Sequence, residues 1–319
     1  MTSVNQRKVV VVGAGDVGST FAYALAQSGL ADEIVLIDKN KELARGQVLD
    51  LAHGLPFCPA VSIREGNASD YVDAKLVVIT AGTAQSPGET RLALLHRNAT
   101  IMRSIVGDVI KHNPDCVMLI VSNPVDVMTH VAIETAGSER GRVFGSGTVL
   151  DSARLRYFLS GHFGVDVHNV HAYMLGEHGD SEFAAWSMTH VAGMPIDEYC
   201  PICGRCSDWT EELDKIEQKV RDSAYHIIDY KGVTCFAVGL ALVRIAGAVL
   251  RGEKSVLAVS TKLDGEFGLH DVCLSVPCVV SSGGVERVVE SRLPDHEIAS
   301  LQASAAVLKA AIAQLDVEV

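Results

Sequence analysis

Four continuous apolar runs set the first constraint on this chain: VVVV at 9–12, IVLI at 34–37, LVVIT at 76–80 and VMLIV at 117–121. A strand with one face in water alternates apolar and polar side chains, so runs without alternation belong to strands covered on both faces. Longer stretches of helical pattern separate them, and this strand–helix grammar predicts a doubly wound parallel sheet. After about residue 145 the grammar changes. Leu213, Ile216, Val220 and Ile227 mark one face of a helix over roughly 208–230, and a second long helix runs from Asp295 onward. Between them SVLAVST, VCLSVP and VERVVE read as short strands of antiparallel character separated by Gly-rich turns. No internal repeat or low-complexity linker interrupts the pattern.

At 319 residues the chain is long enough for two domains. A formal charge of −12 opposes binding to a phosphate backbone, so nucleic acid is not an expected partner. No apolar stretch reaches the roughly 18 residues of a membrane span, and MTSVNQRK leads straight into a strand. The expected location is the cytoplasm, with the eight cysteines reduced. Cys116 and Cys235 lie in apolar surroundings and read as core. CPICGRC at 200–206 has a Cys-x-x-Cys-x-x-Cys spacing that could begin a thiolate metal site. It lacks an evident fourth ligand or second paired motif, so a loop between elements is the favoured reading and no metal is expected.

GAGDVG at 13–18 follows the first strand and opens a helix. Gly13 suits a tight turn, Gly15 lets a pyrophosphate approach the backbone, and Gly18 lets the helix pack close to the sheet. Asp16 and Val17 complete the turn. Asp38 stands at the end of the second strand, 20 residues beyond Gly18. A carboxylate there can accept ribose hydroxyls and repels a 2′-phosphate, which points to NAD rather than NADP. The expected fold class is therefore α/β: a Rossmann-type doubly wound parallel sheet over 1–145 that binds the dinucleotide, and a C-terminal mixed α+β substrate domain over 146–319.

The chemical residues lie further along. YMLGEHGDSE at 173–182 places His178 on a Gly-flanked loop, and AQSPGETR at 84–91, SNPVD at 122–126 and LDSARLRY at 150–157 accompany it. Together, in this order and over nearly the whole chain, these motifs resemble the lactate/malate dehydrogenase family, and within it the bacterial L-lactate dehydrogenase branch. The resemblance implies reversible hydride transfer between NADH and pyruvate. It makes His178 the acid/base and Asp151 its carboxylate partner, although Asp151 taken alone could equally cap a helix. The chemistry agrees, since an imidazole with a pKa near 6.5 exchanges protons in both directions and a carboxylate stabilises its protonated form.

A substrate carboxylate calls for a planar, permanent cation, and Arg154 matches the family's residue for it. Arg91 follows a polar Pro–Gly stretch suited to a closing loop, and the resemblance gives it the task of polarising the carbonyl. Asn123 and Ser146 match residues on the nicotinamide side, Val238 the apolar residue behind the ring, and Thr234 the small residue beside the substrate's side chain. Gln85 stands where malate-selective relatives carry arginine. A neutral amide cannot balance a second carboxylate in a desolvated pocket, so a small monocarboxylate is expected, with malate or a broader 2-hydroxy acid as the alternative. A noncatalytic NAD-binding regulator would not need His178, Asp151, Arg154 and Arg91 together. Finally, Arg156 and His171 match positions where allosteric members bind fructose 1,6-bisphosphate across a subunit interface, and the resemblance implies a homotetramer.

Overall fold

In a computed structural model, residues 6–83, 90–205 and 209–316 are described. The first half alternates as the apolar runs require: β1 (Lys8–Val12), α1 (Asp16–Ser28), β2 (Glu33–Ile37), α2 (Lys41–His53), β3 (Ser62–Glu65), β4 (Leu76–Ile79), α3 (Arg91–His112), β5 (Val117–Ile120), α4 (Val125–Ala136) and β6 (Val143–Gly145). All four residues of β4 and of β5 are buried, as strands roofed on both faces must be. The short strands β3 and β6 escape the apolar-run reading. SIRE is polar and lies at the sheet edge, while VFG is three residues long.

The second half contains α5 (Val149–Phe163), β7 (Val170–His171), β8 (Met174–Leu175), β9 (Phe183–Ala184), β10 (His190–Val191), β11 (Met194–Pro195), α6 (Ile196–Cys203), α7 (Trp209–Lys231) and α8 (Phe236–Arg251). It closes with β12 (Ser255–Asp264), β13 (His270–Ser281), β14 (Gly284–Val288) and α9 (Asp295–Ala313). One nine-stranded sheet runs in the order β14-β13-β12-β6-β5-β4-β1-β2-β3, parallel from β6 to β3 and antiparallel from β14 to β6. The expected boundary at 145/146 thus falls where the sheet itself continues, through a single pairing of Gly145 with Ser260.

Two apolar cores support these layers. The larger flanks the sheet, and the smaller gathers Leu155, Leu159 and Phe163 of α5 with Val191, Ile196 and the α7 face Leu213, Ile216 and Val220. Ile227, expected on that α7 face, is only half-buried and lines an apolar cavity of about 430 Å³ instead. Cys116 and Cys235 are buried. The CPICGRC stretch corrects the expectation of a loop: Cys200 and Cys203 form the end of α6, which stops at Gly204 in the left-handed region. Burial of Ile196 and Cys200 against α5 and α7 outweighs the Pro and Gly punctuation that suggested a loop, and Cys206 lies outside the described residues. Among the described residues no helix is long and apolar enough to cross a membrane.

Candidate active site

The sheet order reverses between β1 and β4, and in doubly wound sheets the crevice beyond the strand ends at such a point is where ligands sit. The GAGDVG turn occupies it. Gly13 has φ +107°, and a Cβ there would stand 2.7 Å from both the Ala81 nitrogen and Thr80 Oγ1. A Cβ on Gly18 would strike the Gly13 carbonyl, so the helix can start here only with glycine at both positions. Gly15 has no atom within 4 Å of its Cβ position and faces a cleft of about 840 Å³ shared with Gly13, Asp38 and Thr80 to Thr83. No side chain caps α1, which leaves its first N–H groups for an anion.

Asp38 lines the same cleft and also braces it. Its Oδ2 accepts the Ala14 N–H at 2.7 Å and its Oδ1 accepts the Asn40 N–H at 2.8 Å. An open Gly15, an uncapped helix start and a carboxylate at the strand end fit a dinucleotide with unmodified ribose hydroxyls. Asp16 sits exposed at the start of α1, while Val17 reaches into a second, smaller cavity of about 170 Å³.

That smaller cavity collects residues far apart in sequence. Asn123 follows β5, Ser146 follows β6, Arg154 comes from α5, His178 from the loop after β8, Thr234 from the segment between α7 and α8, and Val238 from the start of α8. His178 is held twice. Its backbone N–H donates to Asp126 Oδ2 at 2.7 Å, and its Nδ1 meets Asp151 Oδ2 at 2.7 Å. With Nδ1–H donated to a carboxylate, Nε2 is the atom left to exchange a proton with a ligand. Burial pushes the imidazole down, but Asp151's charge and hydrogen bond outweigh it and raise His178 to about 9. Asp151 is 1% exposed; burial raises its acid, yet His178 and Arg154 together hold it below the usual carboxylate range.

The helix N-cap expected as one alternative for Asp151 is Thr148 instead. Asp151 lies in the first turn, and Thr148 donates its hydroxyl to the Met174 carbonyl at 2.6 Å, tying α5 to the strand before His178. Arg154 is placed on the Asp151 side of α5, and its Nη1 donates to Asp151 Oδ1 at 2.7 Å. One arm of the fork expected to hold substrate therefore rests on Asp151. Arg156, about 200° further round the helix, faces elsewhere. It lines a separate cavity of about 240 Å³ with His171 and Arg244. Arg91 begins α3 after the cap Thr90, but nothing is described of its side chain, and Gln85 lies outside the described residues.

Two buried acids at the site went unread in the sequence. Asp126, 2% exposed, pins the His178 backbone, and burial raises its acid to about 6. Glu182, 4% exposed, lies with Asp151 and His178 in a cluster whose ligand atoms are all within 4.8 Å of one another. Both stand inside stretches that attracted attention for other residues, SNPVD and GEHGDSE, and nothing local distinguishes a buried acid from a solvated one.

A dinucleotide cleft that opens beside a histidine–carboxylate pair and a mostly buried arginine defines a nicotinamide-dependent oxidoreductase. Residues 7–145 match the lactate/malate dehydrogenase NAD binding domain, and residues 148–319 match the lactate/malate dehydrogenase alpha/beta C-terminal domain. The chain belongs to the lactate/malate dehydrogenase family, and its cofactor is NAD. It is 62% identical over 312 residues to an L-lactate dehydrogenase of Treponema denticola, covering 98% of this chain and 99% of the relative. An L-lactate dehydrogenase of Acetivibrio thermocellus is 49% identical over 311 residues, covering 98% of each chain. Among solved structures, a lactate dehydrogenase from a Medee basin deep-sea metagenome library superposes with a TM-score of 0.95 at 42% identity, covering 98% of this chain and all of the other. The minor L-lactate dehydrogenase of Enterococcus mundtii, in a ligand-bound form, gives 0.95 at 41% identity, covering 99% and 100%.

Proposed function

We propose that the protein is an L-lactate dehydrogenase that interconverts pyruvate and L-lactate. The observation that carries this reading is the 2.7 Å contact between His178 Nδ1 and buried Asp151 at a pocket that also holds Arg154. The names of the Treponema and Acetivibrio relatives support it. NADH, when bound, supplies the hydride that reduces the carbonyl carbon. His178 Nε2 gives its proton to the carbonyl oxygen, which becomes the hydroxyl of lactate, and the Asp151 charge stabilises the imidazolium before transfer. Arg154 binds the substrate carboxylate, and Arg91 polarises the carbonyl. Asn123, Ser146 and Val238 hold the nicotinamide side, with Gly13, Gly15, Asp16, Val17, Gly18 and Asp38 holding the rest of the dinucleotide. The two domains are the 1–145 cofactor domain and the 146–319 substrate domain.

Selectivity for a monocarboxylate follows from Gln85 and Thr234, neither of which can balance a second carboxylate. The test is NADH oxidation with pyruvate against oxaloacetate. Pyruvate should be preferred by at least about tenfold in kcat/KM, and preference for oxaloacetate would make the protein a malate dehydrogenase.

The cavity of Arg156, His171 and Arg244 supports a fructose 1,6-bisphosphate site. Burial lowers the Arg156 pKa, Tyr173 opposes the fall and the Arg244 charge adds to it, so an anion there relieves two cations at once. The bisphosphate should lower the KM for pyruvate, and Arg156→Gln should abolish that response. Exposed Tyr23 on α1 with Phe236 and Leu240 on the adjacent α8 supports assembly through this face, in the homotetramer that family membership implies.

A further inference from the structure

We propose that Glu182 is a positioning residue for this reaction: an enclosed carboxylic acid that keeps its proton while a substrate anion is bound, and whose ionisation at alkaline pH drives that anion out. The proposal rests on the reading of the pocket as a pyruvate site.

Glu182 lies between the loop of His178 and β9, and its backbone is tied on both sides. Its N–H donates to the Gly179 carbonyl at 3.2 Å, and its own carbonyl accepts Arg221 Nη1 at 3.2 Å. The side chain is therefore held inside, 4% exposed, and its Oε2 has no hydrogen-bond partner among the described residues. Four charged groups face it: Asp151 and Arg154 from α5, His178 from its own loop and Arg221 from α7. Neither arginine bonds the carboxyl group. Arg154 donates to Asp151, and Arg221 to Glu217, Gln218 and the Glu182 carbonyl. A carboxylate confined here without a donor is strongly disfavoured, whereas the neutral acid is tolerated.

The charges around the substrate favour the same state. With His178 protonated, the Asp151 and Arg154 charges offset one another and the imidazolium faces the pyruvate. An ionised Glu182 offsets the imidazolium charge, and after proton transfer it would stand beside Asp151 and lactate, three anions facing Arg154 and Arg221 and the Arg91 assigned to the carbonyl. Burial and then the Asp151 charge raise the Glu182 acid to about 9, against the pull of His178, Arg154 and Arg221. His178 is raised to the same region and its ring lies within 4.8 Å of the Glu182 carboxyl group, so each titration affects the other. As pH rises through this range, loss of the His178 proton removes a positive charge and loss of the Glu182 proton adds a negative one. Both disfavour a bound anion.

The experiment counts protons taken up when oxamate, an amide analogue of pyruvate that accepts no hydride, binds the enzyme–NADH complex in weak buffer at pH about 10. About two protons per site are expected for the native protein and about one for Glu182→Gln. In parallel, log kcat/KM for pyruvate should fall above pH about 9 with a limiting slope of about −2 in the native enzyme and about −1 in the variant. NADH fluorescence titration confirms that the variant retains its cofactor cleft. Should the variant not fold, the native count decides alone. One proton at most in the native protein, with oxamate bound normally, overturns the role of Glu182. Failure of oxamate to bind at neutral pH, with no turnover of pyruvate, overturns the pyruvate reading instead.

Discussion

The cofactor cleft and the catalytic pocket have no lining residue in common and are built in opposite ways. The cleft of about 840 Å³ owes its form to backbone: a turn that admits only glycine at 13 and 18, an uncapped helix start, and one carboxylate bracing the turn. The pocket of about 170 Å³ is lined by side chains from α1, α5, α7, α8 and four connecting segments, with its chemistry carried by single side chains. Backbone sites tolerate side-chain change around them, whereas in the pocket one substitution removes one chemical function. The two regions should therefore fail separately.

The hardest test of that separation is His178→Ala. Loss of the acid/base should lower kcat/KM for pyruvate by about 10²- to 10⁴-fold, while the Kd for NADH changes by less than about threefold. Parallel loss of NADH binding would show that the two regions are one mechanical unit. A smaller effect, confined to the pocket, comes from Asp151→Asn. Pyruvate reduction uses protonated His178, which is present below its pKa and lost as pH rises through about 9. Without the Asp151 charge burial prevails and the pKa falls, so the alkaline limb should move down by about two units, lowering kcat/KM at pH about 8 by about tenfold. A limb that stays in place would assign it to another group. The smallest expected effect belongs to the cleft: Asp38→Ser should reduce the preference for NADH over NADPH by about tenfold while the KM for pyruvate holds within about threefold. A large rise in that KM would mean that bracing Ala14 reaches the pocket.

The same contrast governs what could be read in advance. β1, β2, β4 and β5 were legible because doubly buried strands cannot hide in polar sequence, and the Gly13 turn because its glycines are required by contacts only a few residues away. β3 escaped because an edge strand may be polar, and α6 because the Pro and Gly around Cys200 advertise a loop that burial against α5 and α7 overrides. At the site, His178, Asp151 and Arg154 came from a family resemblance rather than from spacing. His178 and Asp151 are 27 residues apart, and no periodicity joins them. Arg154 resting one arm on Asp151 was not foreseen, since two residues one helical turn apart can pair or diverge according to what packs over them.

What the chain determined by itself is the alternation of elements, the glycine turn, the strand-end carboxylate and the net charge. Each is a property of neighbouring residues, fixed by backbone sterics, by side-chain period or by simple addition. Only the tertiary structure decided that Asp126 and Glu182 are buried, that Asp151 bridges Arg154 and His178, and that Arg154 and Arg156 serve different cavities. Whether a carboxyl group is an anion or an acid depends on the water removed from it and on every charge within a few ångströms. In this site those charges come from α5, α7 and the loop after β8, segments that meet only when the chain has folded.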